Sequence, residues 1–187
     1  PDDYPLWLGR EWGYAGRMQR IVDQLQADGA ITPDRMAAIQ TDVKSPIAIR
    51  LKPVMLSVLG ESALTNTAAE RFKALSVWDN EMQMYDTSPA VFFAWMHAAI
   101  RLIFADELDE DFAGWFGLRA EVLERALTER PIWCDNVTTL EIETCQSILT
   151  LAFEAAVLEV ETAGGGDEPT WGAIHQVNFR HLGFGQI

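Results

Sequence analysis

Two cysteines, three histidines, one acidic run and a proline at position 1 are the residues from which this chain could build chemistry. Cys134 and Cys145 flank a polar stretch, and an even pair closing a short loop suits a disulfide in an oxidising compartment. Two separate buried thiols are the other reading of the same pair. His175 and His181 lie about 240° apart in azimuth on a helix, so one helical face does not offer both to a metal. His97 sits in an apolar stretch and reads as a hydrogen-bonded core or boundary residue rather than a general base. The run Asp106 to Asp111 reads as a solvated turn, calcium binding being the other use of clustered carboxylates. Pro1 has no hydroxyl or thiol; its secondary amine is a conceivable base, but nothing else resembles a βαβ tautomerase, so a boundary inside a longer protein is expected.

Self-contained catalytic motifs are missing. The sequence has no His-Glu-x-x-His, Glu-x-x-His, Cys-x-x-Cys, Gly-x-Ser-x-Gly or Ser-x-x-Lys. Gly164-Gly165-Gly166-Asp167 has neither a preceding strand nor the Lys-Ser/Thr that completes a phosphate cradle, and reads as a linker turn. The net charge of −14, without a basic run, opposes binding to a phosphate backbone. A chain of 187 residues with 49% hydrophobic and only 22% charged residues can bury one sizeable core. No uninterrupted apolar run approaches the roughly 20 residues that span a bilayer, and the first residues lack a signal peptide's basic and apolar regions.

The elements that must position these residues read as helices joined by short turns. Met18, Ile21, Val22 and Leu25 follow i, i+3, i+4, i+7 spacing, with Asp28-Gly29 as a stop. Thr32-Pro33 and Ser45-Pro46 each pair a capping residue with proline at the first helical position. The first opens a helix with Met36, Ile39 and Val43 inward; the second opens one with Ile47, Leu51, Val54, Met55 and Val58 inward, which Pro53 should kink or split. Asn66 or Thr67 can cap a helix reaching Trp78, and Asp79 to Thr87 reads as a loop. From Ser88-Pro89 to Phe104, Phe92, Trp95, Met96, Ala99, Ile100 and Ile103 mark the central core helix. A helix over Leu118 to Leu127 should end at Pro131, and a long one should start at Thr144 with Ile148, Leu149, Ala152, Phe153 and Ala156 on one face. No sustained period-two alternation or internal repeat occurs. The expectation is a mainly α, single multi-helix domain over residues 1–187, with an irregular tail from about 170 to 187.

Several short motifs, in one order across nearly the whole chain, resemble the penicillin acylase (penicillin amidase) family. They are Asp3-Tyr4-Pro5, Trp12 and Arg17 with Arg20-Ile21; Thr32-Pro33-Asp34-Arg35-Met36 with Ile39-Gln40-Thr41-Asp42; and Leu51-Lys52-Pro53. Leu75-Ser76-Val77-Trp78-Asp79, Glu143-Thr144-Cys145, and Trp171-Gly172-Ala173-Ile174-His175 through Phe179-Arg180-His181 continue the match.

The resemblance implies an internal helical segment of the β chain of an αββα N-terminal nucleophile hydrolase, matured from a bacterial, periplasmic or secreted precursor. Such an enzyme hydrolyses N-acyl amides: penicillin or cephalosporin side chains, acyl-homoserine lactones or related compounds. Its nucleophile is an N-terminal Ser, Thr or Cys whose own α-amine is the base. That residue is expected outside this chain, the oxyanion Asn just before Pro1, and the fragment alone inactive. Arg17 matches a family residue near the active site, where a guanidinium's donor fork orients the oxyanion Asn or contacts substrate. A structural arginine on a helix flank is the competing reading. No cofactor is required. The family's structural calcium takes a ligand shortly after Asp-Tyr-Pro, but Leu6-Trp7-Leu8-Gly9-Arg10 stands there with Glu11 next, so no ligand is assigned; Asp2 or Asp3 could contribute. The implied partners are the α chain and the rest of the β chain, with apolar surface around Trp7, Trp12 and Trp171 to Phe184 left to pack against them or to form a non-physiological dimer. A non-enzymatic helical interaction module is the alternative, predicting a polar surface with one groove.

Overall fold

The computed structural model describes residues 15–27, 29–60, 64–117, 119–163 and 169–176. Among them the chain is mainly helical, and its only ladder-type pairing is an isolated antiparallel bridge, Lys44 to Glu81. Two compact units divide it, Pro1–Asp42 and Val43–Ile187.

The first unit contains α1 (Gly16–Gln26) and α2 (Pro33–Gln40). As the sequence predicts, Thr32 caps α2, its Oγ1 accepting from Arg35 N at 3.2 Å, with Pro33 in the first turn. The α1 stripe of Met18, Ile21, Val22 and Leu25 lies on one helix, but the α2 stripe does not form as expected: Val43 lies beyond the end of α2, and it and Met36 are exposed rather than inward; neither helix buries a residue, and Met18 is 66% exposed. Helices of 11 and 8 residues present too little apolar surface to enclose a core.

The second unit begins with α3 (Pro46–Leu59), again capped by its Ser. Of the kink or split expected at Pro53, the split does not occur: α3 runs unbroken through it. Pro53 and Ile49, the residue whose carbonyl loses its helical donor, are both exposed. The next helix, α4 (Asn66–Val77), differs at its start: Thr65, not Asn66 or Thr67, occupies the cap position and bonds nothing locally. Instead Glu154, 89 residues away, accepts from both Thr65 N and Oγ1, at 2.6 and 2.7 Å. The polar stretch after α4 is tied down by Ser45 N donating to Asn80 O and Met82 N to Val43 O, both 2.9 Å.

The core is built on α5 (Ser88–Leu108) and α8 (Cys145–Ala163). Their interface centres on Trp95 and Phe153, edge to face at 4.9 Å. The buried indole is satisfied, its Nε1 donating to Leu149 O at 3.0 Å. By length and composition α5 could cross a bilayer although no uninterrupted apolar run of that length occurs in it; the residues that make it so apolar are largely those it buries in the core. A reciprocal cap starts α8: Ser147 N donates to Thr144 Oγ1 and Thr144 N to Ser147 Oγ, at 3.1 and 2.9 Å.

Between α5 and α8 the chain forms a 3-10 turn (Asp109–Asp111), α6 (Phe112–Trp115), α7 (Ala120–Thr128) and a second 3-10 turn (Pro131–Cys134). The acidic run is therefore partly helical, and Pro131 opens a turn after α7 has ended. A disulfide joins Cys134 to Cys145. The loop it closes is bonded internally at its base: Asn136 N donates to Glu143 Oε2 and Glu143 N to Asp135 Oδ1, both at 3.0 Å, while Leu140 at the tip is fully exposed. The tail is not wholly irregular, since Trp171–Ile174 form α9. Residues 1–14, the Gly164–Asp167 turn and the positions from 177 onward, His181 included, lie outside the described residues.

Candidate functional site

Arg17, the one residue expected near an active site, rests on a well-bonded platform within the first unit. One turn after it on α1, Arg20 grips Asp42 with Nε and Nη2 at 2.8 and 3.1 Å, and Gln24 Nε2 adds a third bond to that carboxylate at 3.0 Å. The fork matches the carboxylate plane, which a lysine's point charge would not do. Arg35 of α2 gathers the carbonyls at the end of α1, donating through Nη2 to Gln24 O and Ala27 O and through Nη1 to Gly29 O. These acceptors have no intrahelical donor left, so the guanidinium satisfies them and offsets the helix dipole. Arg17 itself is exposed, and among the described residues no hydrogen bond or ion pair engages its guanidinium.

In the second unit the family-like motifs meet one another as structural contacts. Lys52 is buried and donates Nζ to Trp78 O, lying 5.3 Å above the Trp78 ring. Burial pushes this ammonium's pKa below its ordinary value, while Asp79 acts in the opposite direction. The indole Nε1 of Trp78 in turn donates to Glu81 O at 2.9 Å. Farther on, Trp171 N and Gly172 N each donate at 2.7 Å, to Asp86 O and Met84 O. A Cβ on Gly172 would stand 2.9 Å from Met84 O, which explains the glycine at this close approach.

His97 and His175, separate in sequence, line one hollow of about 460 Å³ with Glu159. Trp171 stacks on His175 at 4.3 Å and leans on Phe93 at 5.6 Å. Burial holds the His97 imidazole below its usual pKa; Glu159 opposes this and Arg101 reinforces it. Among the described residues that line it there is no Ser, Thr, Cys or Lys to act as a nucleophile. Neither sequence spacing nor a motif signals this convergence, because α5, α8 and α9 bring it about by packing. Among the described residues, no three His, Cys, Asp or Glu side chains gather to hold a metal.

Sequence comparison identifies the scaffold: the chain belongs to the penicillin amidase family, matching it over residues 1–186. Its relatives include the acyl-homoserine lactone acylase QuiP of Pseudomonas syringae pv. tomato, 27% identical over 217 residues that cover the whole chain and 26% of that protein. The proteins of the same name from Pseudomonas syringae pv. syringae and Pseudomonas aeruginosa are each 26% identical, over 96% and 92% of the chain and 24% and 23% of their own length. The chain thus spans about a quarter of the curated relatives it matches.

Proposed function

We propose that this chain is a helical part of an amidohydrolase that cleaves N-acyl amides, N-acyl-homoserine lactones among them, by an N-terminal Ser, Thr or Cys outside these residues. The observation that carries this reading is the family match over residues 1–186 together with three relatives named as acyl-homoserine lactone acylases. Water enters the reaction, and a carboxylic acid and an amine leave. The nucleophile's α-amine takes its proton as it attacks the amide carbonyl, and an Asn side chain with backbone N–H groups meets the developing oxyanion. Arg17 is the residue of this chain assigned to that centre. Its exposure leaves the guanidinium available to orient the Asn or to touch substrate, while Arg20 and Asp42 hold the helix that displays it. The α chain and the rest of the β chain are the partners, and the disulfide suits a periplasmic or secreted setting.

Hydrolysis of an N-acyl-homoserine lactone and of a penicillin, by the intact protein and by these 187 residues alone, tests the reading. Turnover of either by the intact protein and none by the isolated chain is expected. Arg17→Ala in the intact protein should lower kcat by about 10²-fold, the scale of losing one group that supports an oxyanion, with thermal stability unchanged because the side chain is exposed. Arg17→Lys should recover only part of the loss. Turnover by the isolated chain, or full activity in Arg17→Ala, would sink the respective assignment.

A further inference from the structure

We infer that a second hollow, formed by α5, α6, α7 and the Pro131–Cys134 turn, binds a single-chain fatty carboxylate. Its volume is about 330 Å³. That lies at the lower end of the roughly 300–1,000 Å³ of small-molecule pockets. Phe104 is buried at its base, with Trp115 at 5.2 Å and Trp133 at 5.7 Å as its walls. Both walls are held in place. Arg119 lies 5.1 Å over the Trp115 ring and donates to Trp115 O at 2.9 Å, and Trp133 precedes the disulfide-bonded Cys134.

Charge decides the kind of ligand. Arg125 and Arg130 line the hollow and are exposed. No ion pair among the described residues includes either one, although the chain carries a net charge of −14. Most other described cations are engaged: Arg20, Lys44, Arg50 and Arg71 pair with carboxylates, Arg35 and Lys52 bond backbone carbonyls, and Arg101 lies over Phe112 and Phe116; Arg17 and Lys73 also lack an ion pair among the described residues, but neither lines this hollow. Two guanidiniums without carboxylate partners beside an apolar, aromatic-walled hollow complement an anionic head on an alkyl chain. The chain would enter between the indoles, and the carboxylate would take charge-assisted bonds from one or both forks. Because the readout is equilibrium binding, this inference stands apart from the acylase reading.

Calorimetric titration of the intact protein with decanoate, decanol and decylamine at neutral pH tests it. Decanoate should bind at least tenfold more tightly than decanol, with no binding of decylamine. Arg125→Gln/Arg130→Gln should weaken decanoate at least tenfold and leave decanol unchanged, which assigns binding to this hollow rather than to any catalytic pocket. Trp133→Ala should weaken both decanoate and decanol. Equal affinity for all three amphiphiles, unaltered decanoate binding by the double variant, or no decanoate binding by the intact protein would each overturn the inference.

Discussion

Glu107, near the end of α5, couples proton uptake to folding. Although the residue is exposed overall, burial of its carboxyl, then a hydrogen bond to Asp106 and the charge of that neighbour, push its pKa up to about 7 from 4.5. The folded protein therefore holds a proton that the unfolded chain releases between these values. The resulting stability is fully present below 4.5 and is lost as pH rises through about 7. Glu107→Gln should flatten the dependence of the urea midpoint on pH across that window, leaving stability at high pH equal to or above that of the parent; an unchanged slope would assign the linkage elsewhere. The sequence presents these residues only as an acidic run. Asp106 has a specific structural role, accepting from Val137 N of the disulfide loop at 2.8 Å, and no local spacing could reveal a contact 31 residues away. The role proposed for Arg17 rests on its family-like neighbours alone, because an exposed helical arginine has no signature of its own.

Helices with local start signals were the most legible elements. Ser and Thr caps followed by proline located α2 and α3, and dense apolar spacing located α5 and α8. Errors occurred where a distant partner decides: Glu154 caps α4 from another helix, and burial of Leu51, Lys52 and Met55 anchors α3 through Pro53. Both hollows escaped sequence reading for the same reason, since their walls come from separate helices. The disulfide fastens the turn before it to the start of α8. Replacing Cys134 and Cys145 by Ser should cost about 2–3 kcal/mol in urea-unfolding free energy, the chain-entropy scale for a short loop. A dithiol should reproduce the loss in the unsubstituted protein, and equal stability of both forms would contradict it.

At the scale of the whole molecule, acidity governs behaviour in solution. The net charge of −14 at pH 7 keeps molecules apart, and this repulsion vanishes near the isoelectric point of about 4.5. Turbidity should therefore peak near pH 4.5 and fall on either side, more steeply in low salt; a flat profile would show that charge does not control association. Between pH 7 and 4.5 the two effects oppose each other: Glu107 favours the folded form while the surface loses its repulsion. The first unit adds Met18 and Leu25, which α1 leaves exposed among the described residues. Periodicity predicted this stripe but could not reveal its exposure, because spacing defines a face without supplying its partner.

The disulfide loop also has a practical consequence for protein engineering. Its closure depends on Cys134, Asp135, Asn136, Glu143 and Cys145, while Val137, Leu140 and Ile142 between them stand exposed. An epitope tag or fluorophore-bearing peptide inserted beside Leu140 would have a ready-made clasp at both ends and would leave the helical core undisturbed.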